Sequence, residues 1–416
     1  MNRRAALRSL AGLMTPVAWQ RIAHGSPVGT LDAVPAVQAD DLPRDVRLTQ
    51  VTGFRLVSER PKLVGKNSHL DVHGRTGGDF MWLVETSADV RGLGVGPDSR
   101  ETAQALLGKS PSDFYRPAER AIESPLGRWD MPIWDLVGKL LKKPAYELFG
   151  AKGPEQVPVY DGSIYFADLL PEYESRGIAR ILEEIDQGLE RGHRAFKMKV
   201  GRGYKWMPRA EGDRRDIEVL RAIRKHIGPD VLMFIDANNG FDLASTKRLF
   251  EEIGPLDIGF AEEMFPEVVE QDLELKAFFN DHRWRTLIAD GESAREPKHF
   301  EPFVQSRALD IVQPDMKAFG FTLQLRMDHM LEGTGVRLAP HNWGSLVGYY
   351  MQLHLGRGIG TFFRAEHDPL SSDVLVADGY RIADGRASVS DSPGFGLTIN
   401  QEAFKSNVKP AWHVKA

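Results

Sequence analysis

The chain has 416 residues, of which 42% are hydrophobic and 27% charged, with a net charge of −5 and no cysteine. That length and balance suit a soluble globular enzyme of about two to three domains, or a barrel with one further domain. The missing cysteines exclude disulfides, thiolate metal sites and a cysteine nucleophile. The mild net charge carries no nucleic-acid or membrane footprint, and no stretch approaches the roughly 20 apolar residues of a membrane span.

At the N-terminus, Arg3-Arg4 precede a mildly apolar stretch at 10–19. This resembles a twin-arginine export signal, with small residues near Ala23 to serve cleavage, and predicts a periplasmic or otherwise exported protein. Arg8 and Pro16 interrupt the apolar region; the competing reading is a basic tail on a cytoplasmic enzyme. Residues 1–45 stand apart from the fold on either reading.

Residues 48–59 (LTQVTGFRLVSE) carry the β-branched and aromatic residues of a strand. Residues 61–78 lack periodicity and hold Gly65, His69, Asp71, His73, Arg75, Gly77 and Gly78, so they predict a long loop. Strands follow at 80–86 and 92–96, then helical spacing from 100 to 148. Together these predict an α+β capping domain over 46–155. A second unit, 156–385, begins near Val157, with a first helix at 173–192 whose Ile178, Ile181, Leu182 and Ile185 share one face. A helix at 213–226 stops at Gly228-Pro229. After Glu366 the pattern breaks into turns, and the tail 386–416 is expected to pack back onto the first domain.

Within 156–385, seven apolar runs each end in a polar residue: Lys199, Asp236, Glu262, Glu292, Asp315, His341 and Glu366. Subtracting those positions gives gaps of 37, 26, 30, 23, 26 and 25 residues. Such spacing fits one strand, loop, helix and loop per step. The prediction is a (β/α) barrel with functional groups at the C-terminal strand ends, where barrel enzymes keep their chemistry.

Asp236, Glu262 and Glu292 end consecutive strands, so three carboxylates can meet at one point. Each alone reads as a helix cap or a surface group. Three in succession repel strongly unless a cation compensates them. Oxygen-only ligation points to a hard ion, Mg²⁺ first, with Mn²⁺ as the alternative. Lys197 and Lys199 share one strand face, and their mutual repulsion is expected to lower the pKa of at least one and make it a general base. Asp315 and His341 form a dyad in which the carboxylate fixes the imidazole tautomer. Glu366, with a raised pKa, is expected to donate a hydrogen bond to an anion. Asn238, two residues beyond Asp236, is expected on the same face, in contact with substrate.

These motifs, KMK at 197–199, IDANNG at Asp236, AEEM at Glu262, DGES at Glu292, QPDMKAFG at Asp315 and PHNWGS at His341, resemble the enolase superfamily, specifically its mandelate racemase-like branch. Asp315 stands where the lactonizing and dipeptide-epimerase branches carry a lysine. Two departures concern loop shape: Gly320 is followed by Phe321, and Pro266 lies later than usual after Glu262-Glu263. The resemblance implies a modified (β/α)₇β TIM-like barrel under an α+β cap, Mg²⁺ on Asp236, Glu262 and Glu292, and bases Lys199 and His341. It also implies substrate selection by the cap loop, with His69, His73 and Arg75 as contacts to a polyhydroxylated acid. The expected reaction is α-proton abstraction from a carboxylate through an enediolate, chiefly dehydration of a sugar acid. The alternative is racemisation or epimerisation of a hydroxy acid. A homo-oligomer is the default expectation.

Overall fold

Alternation along residues 54–62 decides how the N-terminal sheet is used. Phe54, Leu56, Ser58, Arg60 and Lys62 are buried, whereas Arg55, Val57, Glu59 and Pro61 are exposed, the period of a strand covered on one face. In the computed structural model, which describes residues 42–416, this strand is β1 (Leu48–Val64). It pairs antiparallel with β2 (Gly74–Thr86), and β2 with β3 (Arg91–Val95). The C-terminal strand Trp412–Lys415 pairs antiparallel with the free side of β1. The paired arginines at positions 3 and 4 lie outside the described residues.

The loop expected over 61–78 is shorter, since only 65–73 separate the two strands. Pro61 is tolerated because the β1–β2 ladder is interrupted between Glu59 and Val64, where its missing N–H costs no ladder bond. Gly77 and Gly78 belong to β2, opposite Ser58 and Val57. A Cβ on Gly77 would lie 2.7 Å from the Gly344 carbonyl oxygen. Residues 100–148 are only partly helical: α1 (Met131–Leu141) is the one long helix there. Pro111, Pro117 and Pro125 punctuate the remainder, which holds two short helices, Arg100–Gln104 and Ala145–Leu148, and two-residue strands.

From Val157 the chain alternates strand and helix. The strands are β4 (Val157–Ile164), β5 (Ala195–Lys199), β6 (Leu232–Asp236), β7 (Ile258–Glu262), β8 (Leu287–Asp290), β9 (Ile311–Val312), β10 (Arg337–Leu338) and β11 (Ala365–His367). Between them run α2 (Ile178–Glu190), α3 (Arg209–Ile227), α4 (Leu243–Ile253), α5 (Val269–Asp281), α6 (Met316–Leu331) and α7 (Leu346–Gly358). The helix expected from 173 starts at Ile178 because Gly177, at φ +52°, breaks the preceding turn. Each strand from β4 to β10 pairs in parallel with the next. Leu338 bridges to Phe362 in parallel, and β11 pairs in parallel with β4, so the first and last strands are neighbours. Strands β5 and β7 are buried at every residue, as sheets covered on both faces require.

Inside these strands lies an aromatic layer. The Phe234 and Phe260 rings stack with centroids 4.1 Å apart, and Tyr160 meets both edge-on. Two residues further along the same strands, and therefore on the same face, stand Asp236 and Glu262. The polar strand ends thus rest on a dry floor.

A buried histidine behind this core has a measurable consequence. Tyr380 donates its hydroxyl to the Phe395 carbonyl, so His354 on α7 must donate through Nε2 to Tyr380 Oη at 2.6 Å. Its Nδ1, unprotonated in that tautomer, has no hydrogen-bond partner, and burial pushes its pKa down to about 3. The unfolded chain therefore binds a proton that the folded chain refuses between pH 6.5 and 3. Stability is full above pH 6.5 and falls as pH drops, by roughly 1.4 kcal/mol per pH unit. Urea unfolding at pH 7 and pH 5 should differ by about 2 kcal/mol more in the native protein than in His354→Gln; equal slopes would refute the assignment. Among the described residues, no helix is long and apolar enough to cross a membrane.

Candidate active site

The strand ends bring two lysines and three carboxylates into one polar cluster. On β5, Lys197 and Lys199 point to the same side. Lys197 Nζ lies 2.7 Å from Glu262 Oε1, 2.8 Å from Glu366 Oε1 and 3.3 Å from Asp236 Oδ2. Lys199 Nζ lies 2.5 Å from Asp236 Oδ2 and sits 5.0 Å over the Tyr165 ring. Register explains the meeting: Lys199 is opposite Asp236, and Asp236 opposite Glu262, on adjacent parallel strands.

These contacts reverse one expectation. Burial disfavours both ammonium groups, but Glu262 and Glu366 carry Lys197 well above its ordinary pKa, and Asp236 does the same for Lys199. Lysine–lysine repulsion is real but is outweighed by carboxylates at hydrogen-bond distance. Glu366 also departs from expectation. Its Oε1 takes Lys197 and its Oε2 takes the Asn342 N–H at 2.9 Å. Both oxygens accept, so here it anchors a cation and a backbone turn instead of donating.

Across the cluster, His341 Nδ1 lies 2.9 Å from Asp315 Oδ2, and His341 Nε2 lies 3.3 Å from Glu292 Oε2. Burial opposes its charge, yet Glu292 and the Asp315 hydrogen bond raise its pKa to about 10. Asp315 is correspondingly lowered: its own burial is outweighed by the His341 hydrogen bond. Asp315 also caps α6, accepting the Ala318 N–H at 2.7 Å.

Asn238 lies beyond the end of β6, at φ +43°, not on the strand. Its backbone N–H bonds Asp236 Oδ1 and its Nδ2 bonds Glu263 Oε2 at 3.0 Å, while its Oδ1 has no partner. His73 packs edge-on to Tyr165 at 4.6 Å and to Trp343 at 5.8 Å, with Nδ1 on the Gly65 carbonyl. His69 packs instead against Tyr204, with the rings tilted at 46°, and Arg75 is exposed on β2. Sequence reasoning assigned no role to Gln313, Tyr165 or Trp343. Gln313 Nε2 bonds Glu262 Oε2 at 2.7 Å, and its place in the QPD motif was the available signal.

The donor chemistry bears on a metal. As arranged, no group of three His, Cys, Asp or Glu side chains among the described residues is close enough to hold an ion; lysines stand between Asp236 and Glu262, and Glu292 turns to His341. Yet Asp236, Glu262, Glu263, Glu292 and Glu366 outnumber the two lysines. Burial, Glu292 and Asp236 raise Glu263 to about 8. Excess, crowded, oxygen-only charge fits a hard divalent cation.

Parallel strands with bases and acids at their ends define an α/β enzyme whose chemistry lies on the strand-end rim. Residues 180–403 match the model of the Enolase C-terminal domain-like family, and the chain belongs to that family and so to the enolase superfamily. It is 28% identical over 280 residues to the arabinonate dehydratase of Saccharolobus solfataricus, covering 66% of this chain and 70% of that protein. Its fold matches a galacturonate dehydratase from a Geobacillus species with a TM-score of 0.79 and 29% identity, over 89% of this chain and all of the other. A mandelate racemase/muconate lactonizing protein from Geobacillus, solved with magnesium and tartrate, matches with a TM-score of 0.82 and 29% identity over 91% of this chain and all of that one.

Proposed function

We propose that this chain is a magnesium-dependent acid-sugar dehydratase. On this reading β4 to β11 form a (β/α)₇β barrel, and residues 46–155 with the tail 386–416 form its cap. The observation that carries the reading is Lys199 and the His341–Asp315 dyad on one strand-end rim with Asp236, Glu262 and Glu292. The likeness to arabinonate and galacturonate dehydratases supports the substrate class.

Asp236, Glu262 and Glu292 would hold the ion. A bound Mg²⁺ would supply Lewis-acid stabilisation of the substrate carboxylate and of the enediolate, and its charge beside Asp236 would lower the pKa of Lys199. Lys199, once neutral, removes the α-proton. The charge that develops on the carboxylate oxygen faces the ammonium of Lys197, which Glu262 and Glu366 hold in position. His341 is the imidazolium at neutral pH, the form that gives its proton to the departing β-hydroxyl. The β C–O bond breaks, water leaves, and the enol takes up a proton to give the 2-keto-3-deoxy acid. His73 and Asn238 Oδ1 are the polar contacts for substrate hydroxyls.

Because Lys199 and His341 are both held as acids, each could also return a proton, which is the racemase or epimerase alternative. The test is a panel of arabinonate, gluconate, xylonate, galactonate, galactarate and galacturonate in D₂O with Mg²⁺. A keto-deoxy acid that disappears on chelation with EDTA is the expected result. Deuterium at the α-carbon with inverted configuration and no keto acid would replace dehydration by epimerisation.

A further inference from the structure

The segment that carries His341 is fastened by the N-terminal sheet as well as by its own strands, where the His341 carbonyl accepts the Met316 N–H and the Asn342 N–H donates to Glu366. Asp79 on β2 is 2% exposed. Its Oδ1 accepts the Ser345 hydroxyl at 2.6 Å and lies 3.0 Å from Lys317 Nζ, while its Oδ2 takes the Val347 N–H at 3.3 Å. Ser345 caps α7, four residues after His341, and Lys317 is two residues after Asp315. One buried carboxylate thus ties together both sides of the dyad. Next to it, Gly78 donates its N–H to the Gly344 carbonyl at 3.1 Å.

A second fastening comes from β1. Arg60 binds Asp368 through Nε at 2.8 Å and Nη2 at 2.6 Å, and both side chains are buried. Asp368 Oδ2 also accepts the Gly344 N–H at 3.0 Å, and the Arg60 guanidinium lies 4.6 Å over the Trp343 ring. A bidentate buried pair of this kind is strongly directional. Strand alternation explains why a sheet with one apolar face buries Arg60 and Asp79: both lie on the covered side.

We infer that Asp79, supported by Arg60, is a positioning residue: the sheet contributed by β1 and β2 sets the orientation of the His341–Asp315 dyad. The inference rests on His341 being the acid/base group proposed above. It differs from that proposal in assigning catalytic geometry to residues that touch no reacting atom. A base displaced by about 1 Å can lose about a hundredfold in rate.

The test uses full-length protein with Mg²⁺ and two variants, Asp79→Asn and Lys317→Met; Lys317 is partly exposed, so its loss is the milder change for folding. The first readout needs no substrate: ¹⁵N-imidazole NMR of His341, whose Nδ1–H signal reports the Asp315 hydrogen bond. Both variants should shift or broaden that signal while the spectra of His282 and His329, far from Asp79 in the chain and exposed or bonded elsewhere, stay unchanged. The second readout is α-proton exchange in D₂O with D-gluconate and its C2 epimer D-mannonate. Exchange on the His341 side should fall about a hundredfold, and exchange on the Lys199 side should stay within about twofold of native, a split that general loosening would not give. A native-like His341 signal in both variants would overturn the inference. So would equal loss of exchange on both sides. Failure of the dehydratase reading would instead appear as native protein that makes no keto acid, with the NMR result still deciding the role of Asp79.

Discussion

Lys199→Met is expected to lower turnover of the sugar acid by about 10³-fold, the middle of the range for loss of a general base. The side chain ends 2.5 Å from Asp236 and over the Tyr165 ring, with 6% of its surface exposed. Methionine keeps the length and the ring contact and removes only the amine. It also removes a cation from Asp236, whose own burial is outweighed by Lys199 and Lys197 so that its pKa lies far below normal. Magnesium affinity must therefore be measured alongside turnover, by calorimetric titration. Loss of the cationic neighbour should leave Mg²⁺ binding intact or tighter, because the ion no longer competes with the ammonium. Slow turnover together with unweakened Mg²⁺ binding identifies a base. Turnover within tenfold of native would remove Lys199 from the reaction and leave His341 to act alone.

The sequence made some of this arrangement readable, for identifiable reasons. An apolar run ending in a polar residue is a local signal, and it recurs every 23 to 37 residues. It located the ends of β5, β6 and β7, where Lys199, Asp236 and Glu262 stand. The His341–Asp315 pairing followed from adjacent strands, and it is present at 2.9 Å. What escaped depends on partners distant in the chain. The lysine pKa values rise because carboxylates from three other strands reach them, and a pair of lysines read alone suggests the opposite. Glu366 accepts two hydrogen bonds because the Asn342 N–H turns toward it. The first strand runs past its expected end at Glu59 to Val64, because the ladder to its partner is already broken where Pro61 stands. Asp79 and Ser345 are 266 residues apart, and Arg60 and Asp368 are 308 apart; no local pattern relates them.

Glu262→Gln should have an effect of similar size by a different route. Glu262 is 1% exposed, with Oε1 on Lys197 and Oε2 on Gln313. Glutamine fits the same space but brings an N–H₂ where one of two donors already points, and it removes a full charge from the proposed ion site. Mg²⁺ affinity should fall by at least about a hundredfold, consistent with loss of several kcal/mol of ion-mediated stabilisation, and turnover by about 10³-fold. Folding should suffer less than removal of a buried ion-pair partner ordinarily costs, roughly 3–5 kcal/mol. Lys197 keeps Glu366 at 2.8 Å and Asp236 at 3.3 Å, so its charge is not stranded. The contrast separates two roles for one carboxylate. If Glu262 serves mainly as a counter-ion for Lys197, the metal-free variant will lose thermal stability while Mg²⁺ titrates as in the native protein. If it serves as a metal ligand, thermal unfolding without metal will be near native, and the stabilisation that added Mg²⁺ gives the native protein will be missing. Native Mg²⁺ affinity and native turnover in a folded Glu262→Gln protein would refute the metal assignment at this position.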